Sequence, residues 1–166
     1  MIDLPATPQT VLAKVIVPAL ALLPALYDSP AARVQLLATA MQESGLRTRV
    51  QDGNGPARGL WQCEQPVFGL LLGNTASASQ VRALCQSRAI AVWPADMYFA
   101  AQTDDLFACC VARLILWCDP HPLPDLGDAD DAWVCYQKNW GPGKPRLADW
   151  PANYSAALAA VTGATA

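Results

Sequence analysis

At 166 residues the chain has the length of one domain, and no linker divides residues 1–166, so we expect a single unit. Apolar residues make up 53% of the chain and charged residues 15%, which excludes an intrinsically disordered polymer. The formal net charge of −3 lacks the basic excess typical of proteins that bind nucleic acid phosphates, so we expect no nucleic acid partner.

The first apolar segment, residues 11–26, has the hydropathy of a membrane helix but not its pattern. Lys14 lies within it, and Pro18 and Pro24 interrupt it well short of the roughly 20 apolar residues that a span needs. An acidic residue rather than a basic one precedes it, which is unlike a secretory signal. We therefore expect a buried first helix over residues 12–27, no membrane span and no signal peptide.

The second predicted helix is framed by capping residues. Ser29 can cap its N-terminus, and Pro30 can occupy its first turn. Apolar residues then recur every three or four positions, as on one face of a helix, until Gly45 supplies a stop. The sequence therefore predicts a helix over residues 31–43.

Residues 47–62 are dense in Gly, Asn, Asp and Pro, which predicts a loop or a short hairpin. Helical patterns return after this loop. Ser77 or Ser79 can cap the first of these segments, and Asp104-Asp105 and residues 128–131 place acidic side chains at the start of two others. The later helices are predicted over residues 77–90, 105–117, 129–138 and 153–161. The fold class that follows is mainly α, with one short Gly-rich loop or hairpin.

The six cysteines are compatible with a disulfide framework in number but not in setting. Cys109 and Cys110 lie in an apolar helical run, where free cysteine acts as a small hydrophobe. The chain has no CxxC pair and a single histidine, His121, which disfavours a zinc site. We expect reduced packing residues, no metal and no cofactor.

Glu43 ends the second predicted helix and directly precedes the polar, Gly-rich loop. Partial burial and the negative C-terminal end of a helix both disfavour a carboxylate anion, and therefore raise the pKa of the group. A carboxyl that stays protonated near neutral pH can give its proton to the leaving oxygen of a glycosidic bond. Taken alone, however, a glutamate at a helix end is more often a solvated surface residue.

Three short motifs give Glu43 a context. The stretches ESGL at residues 43–46 and GLWQ at residues 59–62 resemble the E-S…G-L-x-Q signature of soluble lytic transglycosylases and goose-type lysozymes. The stretch NWGPG at residues 139–143 resembles the Y-N-A-G-P-G segment of that superfamily, and Trp150 and Tyr154 fall where the family often keeps aromatic residues. The motifs span most of the chain and are most similar to those of phage-borne members.

The resemblance implies an α+β lysozyme-like fold whose loop borders an active-site cleft, with Glu43 as the general acid. Ser44 would support a substrate sugar or the Glu43 side chain. Gln62 would line the cleft, and Asn139 would hydrogen-bond the sugar beside the cleavage point. Among the aromatic residues, Trp140 is the one that we expect in the cleft, since most tryptophans in so apolar a chain belong to the core.

The sequence departs from the family at the tyrosine of its third motif. Aligned on Gly-Pro-Gly, the family tyrosine falls on Lys138, and Tyr136 stands two residues earlier. Tyr136 either substitutes for it through a shifted turn or packs in the core, and the sequence leaves both readings open.

A second carboxylate would decide the mechanism, and Asp52 is the acidic residue between Glu43 and Gln62. Inverting hydrolysis needs a base about 6.5–9.5 Å from the acid. The nine-residue offset also resembles the Glu-to-Asp spacing in lysozymes of T-even phages. Asp52 is alternatively a turn former.

Without a base, the muramoyl 6-hydroxyl can attack internally, as in lytic transglycosylases. Glu64 is a further candidate acid with a surface role as its alternative.

The function that we expect is a phage-encoded muramidase, a lytic transglycosylase or lysozyme, that cleaves the β-1,4 bond between N-acetylmuramic acid and N-acetylglucosamine in peptidoglycan glycan strands. Made in the host cytoplasm without a signal peptide, it would reach the periplasmic wall as a virion component beside tail or other virion proteins, or as an endolysin after holin-mediated release. Two alternatives stay open: a catalytically inactive wall-binding or structural virion subunit, and a chitinase-type glycosidase.

Overall fold

The computed structural model describes residues 1–163, and over this range the chain is mainly helical, as the sequence predicts. The helices in chain order are α1 (Pro8–Val11), α2 (Val17–Leu20), α3 (Pro30–Ser44), α4 (Gln65–Gly73), α5 (Ala78–Ser87), α6 (Pro94–Thr103), α7 (Asp105–Cys118), α8 (Ala129–Trp140) and α9 (Trp150–Gly163). A π-helical turn joins α1 to α2, and single 3₁₀ turns cover Ala25–Tyr27, Asp52–Asn54 and Leu147–Asp149.

The first helical segment is buried, as expected, but its bounds are not those predicted. The side chain of Thr7 caps α1 by accepting from the Thr10 amide at 3.1 Å, so the helix begins earlier than residue 12. It ends at Leu20 instead of continuing to residue 27, and Pro24 lies in the break, where a proline removes a backbone donor.

Helix α3 begins and ends at its predicted capping residues. Ser29 Oγ accepts from the Ala32 amide at 3.1 Å, and Pro30 stands in the first turn. Gly45 takes the left-handed conformation at the C-terminal cap, with φ at +58°, which glycine adopts at little cost. These caps fix the end of the helix next to Glu43, one residue beyond the predicted range at either end.

The acidic starts of two later helices are confirmed. The Asp104 carboxylate accepts from the amides of Leu106 and Phe107 at the start of α7, and the Asp128 carboxylate accepts from the Asp131 amide at the start of α8. Such contacts satisfy amides that have no partner within the helix.

Two helices, α4 and α6, were not predicted. Each opens on a proline in its first turn, and each is short, so neither shows the long apolar period of α3 or α7. The α5 segment is shorter than predicted. Its candidate cap Ser77 instead donates its hydroxyl to the Leu71 carbonyl at 2.8 Å.

The region predicted as a loop or hairpin is a loop. Within residues 1–163 no extended strand forms, and antiparallel pairing is limited to isolated bridges of Arg58 with Val50 and with Cys63. Gly59 directly follows Arg58, the residue that the two bridges share. Its φ is +76°, and a Cβ built there would lie 2.6 Å from the backbone oxygen of Ala101. The glycine therefore lets the loop pack directly against the end of α6.

The core is built around α3, of which most residues are buried. Helix α9 packs along α3, and α7 and α8 also contact α3. The bulkiest fully buried side chains come from the loop, from α4 and from these helices; they include Trp61, Trp150, Phe68 and Phe107. None of the helices described is long and apolar enough to cross a membrane.

All six cysteines are free thiols, and four of them are buried. Burial raises the pKa of both Cys63 and Cys110 to about 12, so these thiols are neutral and unreactive at physiological pH. Residues 1–163 hold no group of three or more His, Cys, Asp or Glu side chains arranged to bind a metal ion.

A buried ion pair ties the start of the chain to the loop and to α7. Arg49 Nε donates to Asp105 Oδ1 at 2.6 Å, and a second nitrogen of the same guanidinium reaches Asp105 Oδ2 at 2.8 Å. The Ile2 amide donates to Asp105 Oδ2, and the Ile2 carbonyl accepts from Arg49. Since the Asp105 side chain is only 2% exposed, its charge depends on these donors.

We expect Arg49→Ala to lower the free energy of unfolding by about 3 kcal/mol or more, because it leaves the Asp105 carboxylate buried without its cation. Urea denaturation followed by circular dichroism measures this loss. Arg47→Ala is the matched control, since Arg47 is exposed. Equal stabilities for the two variants would show that the pair does not hold the loop in place.

Candidate active site

A cleft of about 750 Å³ opens at the C-terminal end of α3, between the loop, the start of α4 and the end of α8. We call it the Glu43 cleft. Five of the site residues predicted from the sequence line it: Glu43, Gln62, Tyr136, Asn139 and Trp140. They come from three separate parts of the chain, so the fold brings them together at one place.

Glu43 is half-buried in this cleft, and its Oε1 atom accepts a hydrogen bond from the Tyr136 hydroxyl at 2.5 Å. Burial raises the pKa of Glu43 above its ordinary value, and this effect outweighs the hydrogen bond from Tyr136 and the positive charge of Arg146, both of which lower it. The carboxyl group therefore retains its proton to a higher pH than a solvated glutamate does.

Tyr136 both packs and contacts the carboxyl group. Its ring stacks on Trp150, with ring centroids 5.2 Å apart, and more distantly on Trp140, at 6.4 Å. Lys138, which the motif alignment places on the family tyrosine, is instead bonded to Asp119 at 2.8 Å. Residues two apart on a helix point in nearly opposite directions, so only one of the two positions can face Glu43.

Gln62 and Trp140 are held in the cleft wall by backbone contacts. Gln62 has a left-handed backbone, with φ at +48°, and its side-chain nitrogen donates to the Gly59 carbonyl at 2.8 Å. The indole nitrogen of Trp140 donates to the Trp61 carbonyl at 2.9 Å, which leaves its ring half-buried. Trp61 itself is a core residue, fully buried and bonded to the Leu36 carbonyl.

Ser44 and Asp52 do not line the cleft. The Ser44 hydroxyl is buried, donates to the Ala40 carbonyl at 2.9 Å and accepts from the Leu46 amide at 3.2 Å. The hydroxyl therefore hydrogen-bonds the backbone at the end of α3 and not the Glu43 carboxyl group. Asp52 is exposed in a 3₁₀ turn, while the preceding Gln51 is the residue that reaches the cleft.

Sequence reasoning missed a clamp between α3 and the loop over residues 141–149. Gln42 Nε2 donates to the Arg146 carbonyl at 2.9 Å, and the Arg146 guanidinium donates back to the Gln42 carbonyl. Asn153 of α9 completes the clamp with a 2.9 Å bond to Gln42 Oε1. Gln42 is one of several polar residues of α3, Gln35 and Thr39 among them, so the sequence gives it no distinct signal.

Charged residues of both signs line the cleft. Arg47, Arg49 and Arg58 flank the loop but do not line the cleft, whose cationic lining residues are Lys144 and Arg146. Of the described residues, the carboxylates that line the cleft are Glu43 and Glu64, and Glu64 is exposed.

Comparison with known proteins assigns no family to this geometry. The chain has no significant match among models of protein families, among curated proteins or among solved structures. Function is therefore inferred from the residues of the cleft and from the motifs that contain them.

We expect Tyr136→Phe to raise the pKa of Glu43, because the hydroxyl bonds the carboxylate and its loss removes an interaction that favours the charged form. Carboxyl ¹³C NMR titration of labelled protein measures this shift. Tyr154→Phe is the control, since the Tyr154 hydroxyl accepts from the Gly127 amide. An unchanged or lowered Glu43 pKa in Tyr136→Phe would contradict the assignment.

Proposed function

We propose that this protein is a muramidase, which cleaves the β-1,4 bond between N-acetylmuramic acid and N-acetylglucosamine, with Glu43 as its general acid. The observation that carries the proposal is a half-buried carboxyl with a raised pKa, bonded to Tyr136 and lining an open cleft. General acid catalysis needs a group that is protonated near the working pH and within reach of the leaving oxygen.

The surroundings of Glu43 suit proton transfer. Among the described residues, Tyr136 is the one that hydrogen-bonds the carboxyl, through Oε1, so that Oε2 is left for the glycosidic oxygen. Once Glu43 has given up its proton, the hydrogen bond from Tyr136 and the charge of Arg146 both stabilise the anion. Because these two contacts stabilise the anion, they also lower the barrier to proton transfer from Glu43.

The cationic side chains of the cleft favour peptidoglycan over chitin as the substrate. Lys144 and Arg146 line it beside Glu43 and Glu64, although the whole chain carries a net charge of −3, and Arg146 also pairs with Asp149. Peptide stems of peptidoglycan carry carboxylates that such cations bind, whereas chitin carries none. The half-buried ring of Trp140 offers an apolar face on which a sugar can stack.

For the mechanism we favour internal attack. Asp52 is exposed and outside the cleft lining, which argues against its action as a base. In our scheme Glu43 protonates the glycosidic oxygen and the C1–O bond breaks. The muramoyl 6-hydroxyl then bonds to C1 and returns its proton to Glu43, which leaves a 1,6-anhydro end. The alternative is hydrolysis with Glu64 as the base, because Glu64 does line the cleft.

The origin and delivery that we propose come from the motifs alone. Their likeness to phage-borne muramidases supports an enzyme that acts on the periplasmic wall of a host bacterium. Carriage in the virion and release through a holin pore both fit that setting. A wall-binding subunit without activity would share the fold and the cleft, so activity on purified wall separates it from an enzyme.

We expect Glu43→Gln to lower the rate of peptidoglycan cleavage by at least about 10²-fold, the scale of general acid catalysis, while the protein stays folded. Release of soluble muropeptides from purified sacculi measures the rate, and soluble chito-oligosaccharides test the chitinase alternative. Wild-type protein that releases nothing from sacculi would refute the enzyme, and full activity in Glu43→Gln would refute the acid.

Internal attack predicts that the released fragments end in 1,6-anhydro sugars, and that Asp52→Asn and Glu64→Gln retain near-normal rates. Mass spectrometry separates anhydro ends from reducing ends, because the latter are heavier by one water. Reducing ends together with a large loss in Glu64→Gln would replace the scheme by hydrolysis with Glu64 as the base. The same products with a loss confined to Asp52→Asn would restore Asp52 to that role.

A further inference from the structure

The side-chain amide of Asn139 is held by two oxygen acceptors. Its nitrogen Nδ2 donates to Asp119 Oδ2 at 3.1 Å and to the Cys135 carbonyl at 2.9 Å, which uses both of its protons, and the weaker acceptor Cys135 Sγ lies 3.7 Å away. A carboxylate and a backbone carbonyl can only accept hydrogen bonds. The nitrogen of Asn139 must therefore face these two groups, and the oxygen Oδ1 must face away from them.

The side-chain oxygen of Asn139, Oδ1, faces space that a ligand can occupy. Oδ1 of Asn139 has no hydrogen-bond partner within residues 1–163, and it is not among the buried polar atoms that lack one. Asn139 lines the Glu43 cleft and also a second basin of about 690 Å³, which lies between α4, the end of α7 and α8. Because Leu70 and Ile115 line both spaces as well, Asn139 stands where the two meet.

Asp119, which directly follows α7, is held by several donors. Its side chain is 7% exposed, and it accepts from Lys138 Nζ at 2.8 Å and from the His121 amide at 3.1 Å. His121 Nδ1 also lies 2.8 Å from Asp119 Oδ1. Burial alone would raise the pKa of Asp119, but the hydrogen bonds from Lys138, His121 and Asn139 outweigh it and hold that pKa below its usual range.

We propose that Asp119 is a positioning residue, which orients Asn139 so that the junction of the two spaces presents a carbonyl oxygen and no amide donor. The sugar bound there must then supply the hydrogen-bond donor, and the acetamido N–H and the ring hydroxyls of an amino sugar are groups of this kind. The identity of the ligand as a sugar rests on the muramidase proposal, whereas the orientation of Asn139 rests on the contacts of its own amide.

Loss of Asp119 has a defined consequence. Without Asp119, the Asn139 amide retains one of these two hydrogen bonds, the one to the Cys135 carbonyl. The amide can then turn about its terminal torsion and present its nitrogen to the ligand. A donor in place of an acceptor leaves the donor of the sugar unpaired, which weakens binding at this point.

A double-mutant cycle of Asp119→Ala and Asn139→Ala tests the proposal on purified peptidoglycan, with kcat and KM measured separately. We expect each single variant to lower kcat/KM about tenfold, the scale of one hydrogen bond to substrate, and the double variant to be no worse than Asn139→Ala. Asp130→Ala, a loss of the same charge from the exposed start of α8, is the matched control. Thermal unfolding of every variant separates positioning from stability.

A second measurement is independent of activity. In ¹⁵N-labelled wild type, we expect the Asn139 side-chain amide protons to exchange slowly with solvent, and Asp119→Ala to speed this exchange while Asp130→Ala does not. Multiplicative losses in the cycle, or amide exchange that Asp119→Ala leaves unchanged, would overturn the positioning role. Wild type that does not cleave peptidoglycan would refute the muramidase proposal, and the exchange experiment would still decide how Asn139 is oriented.

Discussion

The part-buried hydrogen bond between Tyr136 and Glu43 joins the end of α3 to α8 in the wall of the Glu43 cleft. Much of the surrounding structure maintains this contact. Gly45 ends α3 next to the carboxylate, and the stacking of Tyr136 on Trp150 ties the hydroxyl to the helix that covers α3. The carboxyl is thus buried enough to favour its protonated form and still lines the cleft.

Local rules predicted those helix ends at which the capping residue contacts backbone groups close to it in sequence. The caps Ser29, Gly45, Asp104 and Asp128 act at the positions where they were expected, since a cap needs only its neighbouring amides or carbonyls. The short helices α4 and α6 were missed because a few turns of mixed apolar residues carry little periodic signal. Tertiary packing selects them more than local propensity does.

The candidate site was predictable where a motif contained it, and not where distant segments meet. Glu43, Gln62 and Asn139 were found from short motifs, and all three line one cleft. The clamp from Gln42 to Arg146 joins residues about a hundred positions apart in sequence, and no local pattern indicates such a pair. For the same reason, the sequence left open whether Tyr136 substitutes for the family tyrosine or packs in the core, and in the structure it both stacks on Trp150 and bonds Glu43.

Gly59 shows what a matching motif can and cannot report. Its positive φ and the closeness of the Ala101 oxygen, which would lie 2.6 Å from a Cβ added at Gly59, exclude any larger side chain, irrespective of what binds in the cleft. Gly141, by contrast, has open space where a side chain would stand. A chain with this fold and no enzymatic activity would still need Gly59 in order to pack its loop. The glycine of the second motif therefore reports on the architecture of the loop, and evidence of turnover has to come from the carboxyl group in the cleft.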